Sequence, residues 1–164
     1  VLDLADGRLQ AGDLGGAKEL LERGAELAAG EFSFSWRLRL RARLLHARVM
    51  AAGGDFADAV GEAQRLVRDA SAQGAVRYAV QATLLASSAG RRAGMAVQLA
   101  AVDQALERLP RLAGLEAWRL TAEVADAFGS PLWRELAGRQ AGALLAYAGP
   151  HAGRLREAIS THLG

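Results

Sequence analysis

Apolar residues recur along this chain at the spacing of amphipathic helices. They fall at i, i+4, i+7, i+8 and i+11 from Ala59 to Ala70, and the same pattern returns from Ala137 to Ala148. This spacing places apolar side chains on one face of an α-helix. The pattern predicts helices at 2–11, 14–29, 34–52, 56–73, 75–89, 93–109, 114–128, 131–148 and 151–163.

The amino-acid composition agrees with an all-helical chain. Alanine and leucine make up 63 of the 164 residues, whereas valine, isoleucine and threonine together make up 13. Alanine and leucine favour helices, and the β-branched residues that favour strands are scarce. We therefore expect no strands of consequence.

A short motif marks the corners between helices. Gly-Asp, an apolar residue and a later alanine occur as GDLGGA from residue 12 and again as GDFADA, 42 residues further on. The glycine lets the preceding helix end tightly, and Asp13 and Asp55 are expected to accept hydrogen bonds from the N–H groups that open the next helix. Ala17 and Ala59 are small enough for the two helices to approach closely.

Weaker copies of this corner are predicted at Gly90 and Gly129. Corners in steps of about 40 residues are typical of stacked helix pairs. The predicted fold is an all-α, right-handed superhelical stack of about four antiparallel helix pairs with a C-terminal capping helix, forming a single domain over residues 1–164. Because the chain begins at Val1 without a methionine, we expect it to be a piece of a longer protein.

These corners resemble those of tetratricopeptide repeats. Their period of about 40 residues is longer than that of tetratricopeptide repeats. In this period, and in the arginine- and alanine-rich composition of residues 81–94 and 106–142, the chain resembles the helical-repeat region of large ATP-dependent LuxR-type transcription regulators of the maltose-regulator type, in their actinobacterial form. The resemblance implies a cytoplasmic sensor and protein-interaction arm, with the nucleotide-binding and DNA-binding domains elsewhere. It also implies a concave groove lined by the first helix of each pair.

The arginine-rich stretch WRLRLRARLLHAR, residues 36–48, is the main candidate for binding. Arg37, Arg41 and Arg48 lie within about 40° of one another on a helical wheel, because a helix turns by 100° per residue. Arg41 and Arg48 match groove positions of the resembled family. The same register adds Arg77, Arg119 and Glu123 to the predicted binding residues.

Two interpretations of these arginines remain open besides a groove that binds an acidic protein segment or a small effector. The first, which the abundance of arginine in this chain favours, is that they lie on solvated helix faces and pair with nearby carboxylates, which contribute little energy each. Direct contact with DNA is less favoured, because the stretch lacks a recognition motif and the chain carries a net charge of only +2.

No pattern in the chain predicts catalysis, a metal or a cofactor. Residues 12–19 resemble a phosphate loop superficially, but Ala17 and Glu19 replace the glycine and the hydroxyl residue that such a loop needs. The three histidines lack neighbouring ligands, and His46 is expected to be packed or half-buried. Glu19, Glu22 and Glu26 share one helix face that is expected to be exposed to solvent.

The sequence thus predicts a non-enzymatic interaction and sensor module of a transcription regulator. It is expected to have no cofactor, no membrane association and no direct contact with nucleic acid. The alternative function is a self-association scaffold, in which a terminal helix pair, 1–29 or 131–163, stacks on a second copy of the chain.

Overall fold

A computed structural model of the chain describes residues 1–28 and 35–108, and the regular structure in those residues is all helical. The helices are α1 (Leu2–Gln10), α2 (Leu14–Ala28), α3 (Ser35–Gly53), α4 (Phe56–Ala72), α5 (Val76–Arg92) and α6 (Leu99–Arg108). The bounds of the first four differ from the predicted ones by one residue at most. The helices predicted beyond residue 109 lie outside the described residues.

The chain divides into two compact units. The first, Val1–Ala96, contains α1 to α5, and the second, Val97–Gly164, contains α6. Within the first unit, each helix packs against the next, and α3 also contacts α1 and α5. Successive helices therefore pack as neighbours, with α3 at the centre of this unit.

The two strongest predicted corners are confirmed. Gly12 and Gly54 have φ angles of 79° and 91°, in the left-handed region that residues other than glycine rarely adopt. At the first corner the N–H groups of Gly12 and Asp13 donate to the carbonyl oxygens of Leu9 and Arg8, at 3.1 and 2.9 Å. The second corner makes the same pair of bonds, at 3.2 and 2.9 Å. This pairing satisfies carbonyls at the end of each preceding helix.

The predicted corner at Gly90 is wrong. Gly90 is buried inside α5, and that helix ends instead at a glycine four residues later, Gly94, whose φ is 70°. A glycine inside a helix costs only about 1 kcal/mol, and the buried face of α5, including Ala89, offsets that cost. The corner predicted at Gly129 lies outside the described residues.

The two corner aspartates behave differently. Asp13 Oδ1 accepts a hydrogen bond from the N–H of Gly16 at 2.9 Å, and this bond, with a second from Arg8, lowers the pKa of Asp13. The side chain of Asp55 makes no capping hydrogen bond, so that part of the prediction is wrong. Asp55 instead lines a cleft described below, which leaves its carboxylate available.

The helix α3 has two apolar stripes, and each enters a different hydrophobic core. One stripe packs with α1 and α2, and the other packs with α4 and α5. The first consists of Ala42, Leu45 and Val49, and the second of Leu40, Leu44 and Ala47. Leu38, one turn before Ala42 on α3, is 42% exposed and belongs to neither core. The two polar sides of α3 between these stripes are therefore left for charged residues.

Candidate functional site

Two of the predicted binding arginines form ion pairs between α3 and α1. Arg41 pairs with Asp3, and Arg48 Nη1 donates a hydrogen bond to Asp6 Oδ1 at 2.7 Å. Asp6 follows Asp3 along α1, and its partner Arg48 follows Arg41 along α3. The helices α1 and α3 therefore run parallel. We call the surface formed by Asp3, Asp6, Arg41 and Arg48 the α1–α3 face.

The two ion pairs differ in exposure. The side chains of Arg48 and Asp6 are 14% and 26% exposed, whereas those of Arg41 and Asp3 are 35% and 85% exposed. An exposed carboxylate exchanges its partner for water at little cost, but a partly buried pair does not. Arg48 is therefore held by the fold, and Arg41 is the arginine of this face that an external anion reaches more easily.

The remaining predicted binding residues are Arg37, Arg77, Arg119 and Glu123. The Arg37 guanidinium lies over the Trp36 ring, 5.0 Å from its centroid, and Arg77 is exposed in the first turn of α5. Arg119 and Glu123 lie outside the described residues. The structure thus brings Arg41 and Arg48 together with α1 carboxylates, and the charge of these two arginines is already partly compensated within the chain.

On the opposite polar side of α3, Arg43 joins α3 to α4. Its Nε donates to Glu62 Oε1 at 2.6 Å, and its Nη1 donates to Asp69. Burial opposes the ionisation of Glu62, but hydrogen bonds from Arg43 and Arg65 outweigh burial and lower the pKa of Glu62. Burial likewise opposes the charge on Arg43, and its two carboxylate partners outweigh burial and raise its pKa. This network fixes the Arg43 side chain.

A cleft of about 440 Å³ opens beside Arg43, between α2 and α3 and next to the start of α4. We call it the α2–α3 cleft. It is lined by Lys18, Leu21, Glu22, Ala25, Ala42, Arg43, His46, Val49, Met50 and Asp55. Leu21, Ala42 and Val49 are buried and form an apolar floor, and the charged side chains surround it.

Four ionisable side chains of this cleft have no partner among the described residues. Lys18, Glu22, His46 and Asp55 are exposed and make no hydrogen bond or ion pair there through their side chains. His46 was expected to be packed or half-buried, and that prediction is wrong because His46 is exposed on the side of α3 that faces the cleft. Glu19, Glu22 and Glu26 are exposed, as predicted.

The sequence did not predict this cleft, because the cleft depends on the distances of α2 and α4 from α3. The available signal was the i, i+3, i+4, i+7 set Lys18, Leu21, Glu22 and Ala25, which mixes apolar and charged residues on one face of α2. That signal does not indicate whether the face is covered by a neighbouring helix.

Two further properties concern metals and membranes. In residues 1–28 and 35–108, no group of three histidine, aspartate or glutamate side chains is arranged to hold a metal ion. No helix within this described part combines the length and the apolar character that crossing a membrane requires.

Comparison with protein-family models, with curated proteins and with solved structures gave no match.

Proposed function

We propose that this chain is a protein-interaction module that binds an acidic segment of a partner protein along the α1–α3 face. The observation that supports this proposal is the pair of cross-helix contacts, Arg41 to Asp3 and Arg48 to Asp6, which gathers the charged residues of two neighbouring helices on one surface. Helical repeats bind segments along such a surface of adjacent first helices.

The exposure of the two pairs suggests how a partner would bind. A partner carboxylate replaces Asp3 at Arg41, since Asp3 is 85% exposed and its contact with Arg41 is readily exchanged. Guanidinium groups suit this exchange because they bind carboxylates through two parallel hydrogen bonds. Arg48 stays with Asp6 and keeps α1 aligned with α3.

The wider setting belongs to the same proposal. A right-handed superhelical stack, and a role as the sensor arm of a cytoplasmic LuxR-type regulator, follow from the resemblance of the corner motifs and of residues 81–94 and 106–142. A nucleotide-binding domain or a helix-turn-helix encoded next to this segment would support that setting.

The binding proposal is tested with an acetylated oligoglutamate peptide as the probe. We expect the full chain to bind it in a salt-dependent manner, and Arg41→Gln to weaken binding about tenfold, as loss of a charge-assisted contact does. The control is Arg68→Gln, which removes the same charge from an exposed position on α4. If both variants lost affinity for the peptide equally, binding would depend on net charge alone and the proposal would be overturned.

Self-association is the second candidate function, and exposed apolar residues at the start of α1 favour it. Leu4 and Val1, which lie one turn apart, are 57% and 48% exposed. Light scattering over a dilution series should show a mass that rises with concentration, and Leu4→Gln should abolish that rise. Leu38→Gln, at an exposed position on α3, should leave it unchanged.

A further inference from the structure

The α2–α3 cleft lies on the side of α3 away from the arginines of the α1–α3 face. Its residues on α3, such as His46 and Met50, are about 160° around the helix from Arg41 and Arg48. A ligand in this cleft therefore would not touch the surface proposed to bind a protein segment. We propose that the cleft binds a small zwitterionic ligand with an apolar body, of the amino-acid or short-peptide class.

The size and floor of the cleft suit such a ligand. A volume of 440 Å³ lies within the range of about 300–1,000 Å³ that is usual for small-molecule sites. Leu21, Ala42 and Val49 supply a buried apolar floor, and Met50, an adaptable side chain, borders it. Apolar side chains of a bound dipeptide would displace water from this floor.

The charges around the floor have both signs. Lys18 offers an ammonium group for a ligand carboxylate, while Glu22 and Asp55 offer carboxylates for a ligand ammonium group. Arg43 also lines the cleft, but Glu62 and Asp69 already hold its guanidinium. A simple anion would meet two unpaired carboxylates, and a simple cation would meet Lys18, so a zwitterion is the better complement.

Two of these side chains, Lys18 and Glu22, stand close enough on α2 for one dipeptide to reach both. Lys18 and Glu22 are one helical turn apart on α2, which separates their Cβ atoms by about 6 Å. The ammonium and carboxylate groups of an extended dipeptide are separated by a similar distance, about 6 Å, because two residues span little more. Since both side chains stand on one helix, the spacing of their Cβ atoms is fixed before the ligand arrives, and their flexible ends adjust to it.

The test compares leucyl-leucine with two blocked forms of the same dipeptide. The isotope-labelled full chain is titrated with leucyl-leucine, N-acetyl-leucyl-leucine and leucyl-leucine amide, and binding is followed by backbone amide shifts. We expect shifts at Leu21, Ala42 and Val49, and about tenfold weaker binding of each blocked form because each lacks one charged group. Absence of shifts, or equal binding of all three, would overturn the proposal.

Variants assign each charge to its partner. Lys18→Gln should bind leucyl-leucine and its amide equally, since the carboxylate no longer finds its ammonium partner. Glu22→Gln combined with Asp55→Asn should bind leucyl-leucine and its N-acetyl form equally. Glu19→Gln, on α2 but outside the cleft, should keep both preferences. If Glu19→Gln removed a preference, or if octanoate bound as tightly as leucyl-leucine, the zwitterion assignment would be wrong.

Discussion

Arg48 and Asp6 are joined by a 2.7 Å hydrogen bond across 42 residues of sequence, the same interval that separates the two corner glycines, Gly12 and Gly54. Each stands six residues before its corner. At this point equivalent positions of the α1–α2 and α3–α4 hairpins are therefore in direct contact.

The Arg48–Asp6 pair should show measurable coupling in stability. Arg48→Met and Asp6→Asn, alone and together, form a double-mutant cycle, and we expect a coupling free energy of about 1 kcal/mol because both side chains are largely buried. The more exposed Arg41–Asp3 pair, treated in the same way, should give a smaller value. Equal coupling in the two cycles would contradict the assignment of Arg48 as the fixed arginine.

Substitution of the corner glycine should destabilise the fold, and substitution of its neighbour should not. Gly54→Ala forces a side chain into a φ of 91° and should cost about 1–2 kcal/mol in the free energy of unfolding. Gly53→Ala is the matched control. Gly53 closes α3, and a Cβ there meets only ordinary contacts, the nearest being Asp55 Oδ2 at 3.6 Å. Chemical denaturation should show a loss for Gly54→Ala alone.

Glu62 should contribute to the loss of stability in acid. Its pKa is lowered in the folded state, because the hydrogen bonds from Arg43 and Arg65 outweigh its burial. The stabilisation is fully present above the unfolded pKa, about 4.5, and is lost as the pH falls through the lower folded value. Glu62→Gln should be less stable than the parent at neutral pH by about 1–2 kcal/mol, and this difference should shrink below pH 4.

The control for Glu62 is Glu19→Gln, which changes an exposed carboxylate on α2. Denaturation midpoints measured from neutral to acidic pH should run parallel for the parent and Glu19→Gln. If the parent and Glu62→Gln also ran parallel, Glu62 would not be stabilised as a carboxylate by its arginine partners.

The small residue after each corner should tolerate no enlargement. Ala59 is fully buried, as expected for the close approach of two helices, and Ala59→Leu should cost about 1–3 kcal/mol through overpacking. Ala57→Leu, two residues earlier at an exposed position, makes the same change without that cost. Thermal unfolding of the two variants compares them directly, and equal midpoints would show that the site near Ala59 has room.

The sequence predicted the first four helices and the corners at Gly12 and Gly54 closely because these depend on local features, namely apolar periodicity and a glycine at the helix end. It failed where two local signals competed, as at Gly90 and Gly94, since packing of α5 decided between them. The sequence also did not predict that the Asp55 side chain makes no capping hydrogen bond to α4. The α2–α3 cleft was also beyond reach, because its volume depends on distances between helices that no single segment determines.

Leu44 and Leu45 are adjacent in sequence but belong to separate hydrophobic clusters, one with α4 and α5 and the other with α1 and α2. The helix α3 thus separates two hydrophobic cores and contributes side chains to both. A chain truncated within residues 35–53 would expose apolar residues of both cores to solvent. The smallest fragment that keeps both cores complete must therefore extend from α1 through α5.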